Sequence, residues 1–82
     1  MKNLKKASKN SKKKARYQTI ESARDCMNYW RKDYAYWKEV LGDANRGMAF
    51  TNKSDVMKAL NTSRGCLRTY MGVVEIKLGI AA

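Results

Sequence analysis

Residues 20–41 read IESARDCMNYWRKDYAYWKEVL. Within them Ile20, Ala23, Met27, Trp30, Tyr34, Trp37 and Leu41 recur at alternating intervals of three and four residues. That is the apolar spacing of a helix that lays one face on a partner. Thr19 suits the N-cap, Glu21 stands in the first turn where the helix dipole favours an anion, and Gly42 suits the position after the last turn. The chain has no proline to interrupt the pattern. A helix over about 20–41 is predicted.

Beyond it, residues 42–53, GDANRGMAFTNK, contain two glycines and little periodicity. They read as a loop whose Met48 and Phe50 tuck against the helix ends. Ser54 offers a second N-cap with Asp55 behind it. Val56, Leu60, Leu67, Met71, Val74 and Leu78 resume helical spacing over 54–78, although Ser63-Arg64-Gly65 interrupts the stripe. Gly65, Gly72 and Gly79 lie seven apart, as do Ala23, Trp30 and Trp37. An antiparallel hairpin pairs these sets in one register (37 with 65, 30 with 72, 23 with 79), setting two indoles over backbone exposed at glycine. A short strand from the alternation of Val74, Ile76 and Leu78 ranks second, because no partner strand is evident. The expected fold is all-α: a small helical hairpin or helix-turn-helix body over 17–82, forming a single domain.

Charge divides the chain. Lys and Arg number 18 against 7 acids, a formal net charge of +11 with no histidine in 82 residues. Residues 1–16 carry Lys2, Lys5, Lys6, Lys9, Lys12, Lys13, Lys14 and Arg16 and no acid. Leu4, Ala7 and Ala15 are too few apolar side chains to offset the entropy of ordering this stretch, so it reads as a disordered cationic arm. Lys2, Lys6, Lys9 and Lys13 would share one face of a helix, and such a helix should be weak until an anionic partner neutralises it. Blocks of like charge are frequent in nucleic-acid arms.

Several functions are disfavoured. No apolar run approaches the ~20 residues of a membrane span, and the basic start lacks the apolar stretch of a secretory signal. Two cysteines, Cys26 and Cys66, without a CxxC spacing or histidine, read as packing thiols in a reducing cytoplasm (host cytoplasm for a viral protein). No metal or other cofactor is expected. Without histidine, a nucleophile motif or a phosphate-cradling glycine loop, the chain does not read as an enzyme.

Residues 54–71, SDVMKALNTSRGCLRTYM, resemble a bacterial helix-turn-helix unit. The resemblance implies buried Val56 and Leu60, a turn at Asn61-Thr62-Ser63, and a recognition helix of about 63–71 anchored by Leu67 and Tyr70. It would turn Ser63, Arg64 and Arg68 toward DNA, where arginine can fork onto guanine.

Trp30, Tyr34 and Trp37 lie on the stripe and are expected in the core. Tyr17, Tyr29 and Tyr36 lie off it, free to stack on unpaired bases at roughly 1–3 kcal/mol each; the alternative for these tyrosines is partial cover of a small core or a dimer seam. The expected function is that of a small non-enzymatic accessory or regulatory protein that binds RNA or DNA. Its phosphate contacts come from the arm and from Arg24, Arg31, Lys32, Arg64 and Arg68. Eight arm contacts imply a slope of log affinity against log salt of about −6 to −7. The alternative is a protein-directed inhibitor or adaptor on an acidic surface of a host enzyme or assembly. In size and composition the chain is similar to small basic accessory proteins of tailed bacteriophages. A homodimer burying Tyr29, Tyr36 and Val40 is expected, since a lone hairpin with so much aromatic surface would be marginal.

Overall fold

The computed structural model describes residues 4–47 and 52–82. Among these residues three helices follow in order: α1, Lys9–Ala15; α2, Ile20–Asn45; and α3, Lys53–Lys77. The all-α expectation holds. Lys2, Met48 and Phe50 lie outside the described residues.

Local chemistry sets the helix starts. Thr19 caps α2 through a reciprocal box: its hydroxyl accepts from Ser22 N–H at 3.0 Å, and Ser22 Oγ accepts from Thr19 N–H at 3.1 Å. Asn52, rather than Ser54, caps α3 by accepting from Ser54 N–H at 2.9 Å. Helix α2 runs through Gly42 to Asn45, four residues further than its apolar stripe, and Arg46 pairs with Asp43 across its last turn.

The end of α3 settles the glycine pattern. Gly79 has φ +76°. Its N–H donates to the Ile76 carbonyl at 3.0 Å and that of Ile80 to the Glu75 carbonyl at 2.8 Å. This is the paired closure in which a left-handed glycine satisfies the last carbonyls of a helix. Residues up to Lys77 are therefore helical and the strand alternative is not realised. Nor is the turn of the helix-turn-helix reading: Asn61, Thr62 and Ser63 lie inside α3. Ser63 holds the helix there. Its hydroxyl lies 3.1 Å from the Ala59 carbonyl and donates across to the Asp33 carboxylate on α2.

That contact also fixes the register of the α2–α3 hairpin. Asp33 lies against Ser63, whereas the predicted register placed 33 opposite 69. Ala23, expected beside Gly79, shares the core with Val73, Val74 and Ala15, with Met27 and Ile76 packed around them. The seven-residue glycine period was thus not a packing seam. Gly79 closes a helix, and Gly72 meets α1 instead of an indole.

The largest departure from expectation is the basic segment. Instead of a wholly disordered arm, it contributes α1, which packs on α3. Ser8 caps α1 by accepting from Ser11 N–H at 3.1 Å. Ser11 and Ala15, one turn apart, are its buried face. Before the helix, Lys5 bridges in parallel to Ala81: its N–H donates to the Ile80 carbonyl at 3.2 Å and its carbonyl accepts from Ala82 N–H at 2.9 Å. Small side chains and backbone hydrogen bonds, rather than apolar bulk, order this stretch.

Candidate nucleic-acid interface

Because Ser11 and Ala15 turn inward, α1 must turn Lys9, Lys12, Lys13 and Arg16 outward. All four are exposed. Their spacing of three, one and three residues puts them on one side of the helix. The predicted face of Lys2, Lys6, Lys9 and Lys13 is thereby replaced, since Lys6 precedes the helix and only Lys9 and Lys13 survive on the common face. Helix α1 contains no acid, so this row has no internal compensation.

The other predicted cations are also exposed: Arg24, Arg31 and Lys32 on α2, Arg64 and Arg68 on α3, and Lys5 and Lys6 before α1. Among the described residues only Lys5 and Arg46 form ion pairs, Lys5 with Glu75 at 3.0 Å and Arg46 with Asp43. Pairs this exposed contribute on the order of 0–1 kcal/mol. The Lys14 ammonium lies 5.3 Å from the Tyr70 ring centre, a cation–π arrangement.

Tyr17, Tyr29 and Tyr36 are 82%, 62% and 57% exposed, so all three are open to a partner. Val40, at the same edge as Tyr29 and Tyr36, is half-buried. Trp30, Tyr34 and Trp37 are half-buried rather than fully enclosed. Two helices and one short crossing helix cannot wrap an indole on every side. The fully enclosed positions are accordingly small: Ala23, Val56, Val73, Ser11 and Ser63.

Two recesses open where α1 crosses α3. One, of about 510 Å³, is bordered by Lys5, Lys6, Arg68, Met71 and Glu75. The other, of about 380 Å³, is bordered by Lys14, Trp30, Asn61, Thr62 and Tyr70. Asn10, Gly65 and Thr69 border both. Gly65 is an anomaly of the fold. It lies mid-helix without a positive φ, and a Cβ built there would meet nothing within 4 Å. Glycine at such a position weakens a helix by about 1 kcal/mol relative to alanine, with no turn or close approach in return.

Sequence reasoning found the cations and outer tyrosines but missed Asn10, Asn61 and Thr69, which meet only because α1 folds back over α3. The one available signal was Gly65, which interrupts the stripe and was read as backbone lying under the Trp37 indole. Cys26 and Cys66 are free thiols. Among the described residues no group of three His, Cys, Asp or Glu could hold a metal ion, and no helix is long and apolar enough to cross a membrane. Comparison of the chain with protein-family models, curated proteins and solved structures gives no match.

Proposed function

We propose that this protein is a non-enzymatic nucleic-acid-binding factor of the cytoplasm, acting as an accessory or regulatory component. The observation that supports this reading is the outer face of α1: Lys9, Lys12, Lys13 and Arg16, exposed, unpaired by any acid among the described residues, and held on a docked helix. Phosphates would exchange their condensed counterions for these cations, so affinity rests chiefly on ion release. Arg64 and Arg68 on α3, and Arg24, Arg31 and Lys32 on α2, extend the contact, and Tyr17 supplies a stacking surface at the end of α1. Tyr29 and Tyr36, seven residues apart on α2, form the seam of a homodimer, and sedimentation at micromolar concentration should return twice the chain mass.

A salt titration with a labelled oligonucleotide tests the reading. The slope of log affinity against log salt should lie near −6 to −7, the value for about eight phosphate contacts. A slope near zero would overturn it. Recovery of partners from cells that survives nuclease treatment would instead indicate a direct protein contact, with the cationic surface steering encounter to an acidic face.

A further inference from the structure

The row of cations on α1 can meet a polyanion of any shape, whereas the two recesses where α1 crosses α3 have defined walls. Gly65 is the floor they share, and nothing in the fold requires a glycine there. What its missing side chain provides is clearance: the space between α1 and α2 stays open down to the backbone of α3. That space has the size of a small-ligand site, which typically runs from about 300 to 1,000 Å³. Its walls are of two kinds. Trp30 and Tyr70 are aromatic and half-buried, the Trp30 ring being propped edge-on by Tyr29 at 5.1 Å between centres. Asn10 and Asn61 bring carboxamides whose donors and acceptors form no hydrogen bond within the described residues. Arg68 borders the adjoining recess, which shares Gly65 with this one.

We propose that this groove takes one unpaired nucleotide of a single-stranded nucleic acid. The inference rests on the nucleic-acid reading above and gives it a substrate class. The base enters over Gly65, packs on the Trp30 side and meets the Asn10 and Asn61 carboxamides with its hydrogen-bonding edge. The backbone runs out past Arg68 on one side and Lys14 on the other. A flat aromatic wall accepts any base, because every base has a π face, whereas a carboxamide on its edge adds preference. A duplex cannot enter, since its bases are stacked and paired. It is left with the cationic outer surface alone.

The test uses the full chain carrying Trp37→Phe, so that Trp30 is the only indole, with oligomers of about ten nucleotides. The probes are oligo-U, oligo-dT and a mixed-sequence duplex. Single strands should quench Trp30 emission and the duplex should not, with the oligo-U and oligo-dT arms separating RNA from DNA. In that background Gly65→Leu should lower single-strand affinity roughly tenfold or more. Duplex affinity and helical circular dichroism should stay unchanged, because the added side chain starts in open space. Asn61→Ala, at an exposed position, should give a smaller loss in the same direction without filling the groove. Unchanged single-strand binding by both variants, with helicity intact, would overturn the groove while leaving backbone binding in place. Failure of the parent chain to bind either single strands or duplex at low salt would overturn the nucleic-acid reading itself.

Discussion

Ser11 of α1 sits directly on Gly72 of α3. Its hydroxyl donates to the Thr69 carbonyl at 2.7 Å, and a Cβ at residue 72 would stand 2.9 Å from the Ser11 Cβ, closer than side-chain atoms pack. The Ser8 hydroxyl donates to Ser11 Oγ at 3.0 Å, so the cap of α1 and its dock on α3 form one chain of hydrogen bonds. The cationic helix is therefore held by small residues, Ser11 against Gly72 and Ala15 against the alanine and valine core, with no large apolar side chain of its own. Such a dock is specific in geometry yet modest in energy, and the most basic element of the protein should be the first to open.

Gly72→Ala sets two effects against each other. Alanine favours the helix by up to about 1 kcal/mol, but crowding a closed contact costs about 1–3 kcal/mol. Because Ser11 cannot retreat without breaking its bond to Thr69, crowding should prevail. Thermal denaturation should show a fall of several degrees, at roughly 4–8 °C per kcal/mol for a chain this size. Hydrogen exchange should show the loss of protection concentrated in residues 11–16. A rise in melting temperature with α1 still protected would refute the contact.

Ser63 and Asp33 are the polar tie between α2 and α3. Ser63 is 1% exposed, so its hydroxyl depends on the partners it has. A hydrogen bond to a charged acceptor is worth about 1.5–3 kcal/mol. Ser63→Ala and Asp33→Ala should each destabilise by about that range or somewhat less. The double variant should lose little more than the worse single one, which a double-mutant cycle reads directly. Simple additivity of the two losses would show that the pair does not interact.

Val73 carries an unusual share of the core. It is fully enclosed, beside Ala15, Ala23 and Val74, and among the described residues the enclosed apolar positions are all alanine or valine. Removing its two methyl groups forfeits their burial and leaves a cavity, together about 2 kcal/mol. For Val73→Ala, chemical denaturation should show a midpoint well below the parent with unchanged slope. A shift within error would mean that the three helices do not meet at this residue.

The outer face of α1 offers a test of charge alone. Replacing Lys9, Lys12, Lys13 and Arg16 together by Gln removes four cations at exposed positions. Far-ultraviolet circular dichroism should not change. The salt slope of nucleic-acid binding should become shallower by about 3–4, at 0.7–0.9 per lost phosphate contact. An unaltered slope would place the phosphate contacts elsewhere on the surface.

Helices α2 and α3 were legible in the residues, because a run such as Ile20 to Leu41 satisfies spacing, capping and dipole within its own length. So was the inventory of exposed cations and tyrosines, since burying a charge is costly wherever the chain goes. The order of residues 9–15 was hidden. Ser11 looks like any serine until Gly72 and the Thr69 carbonyl, some sixty positions away, come within reach of it. The register was hidden for the same reason: glycines seven apart suggest a seam, but Gly79 answers to its positive φ and Gly72 to α1. Only the folded chain decides which of two equal periodicities meets which, because close packing and buried hydrogen bonds are settled by neighbours in space, whereas periodicity and capping are settled by neighbours in sequence.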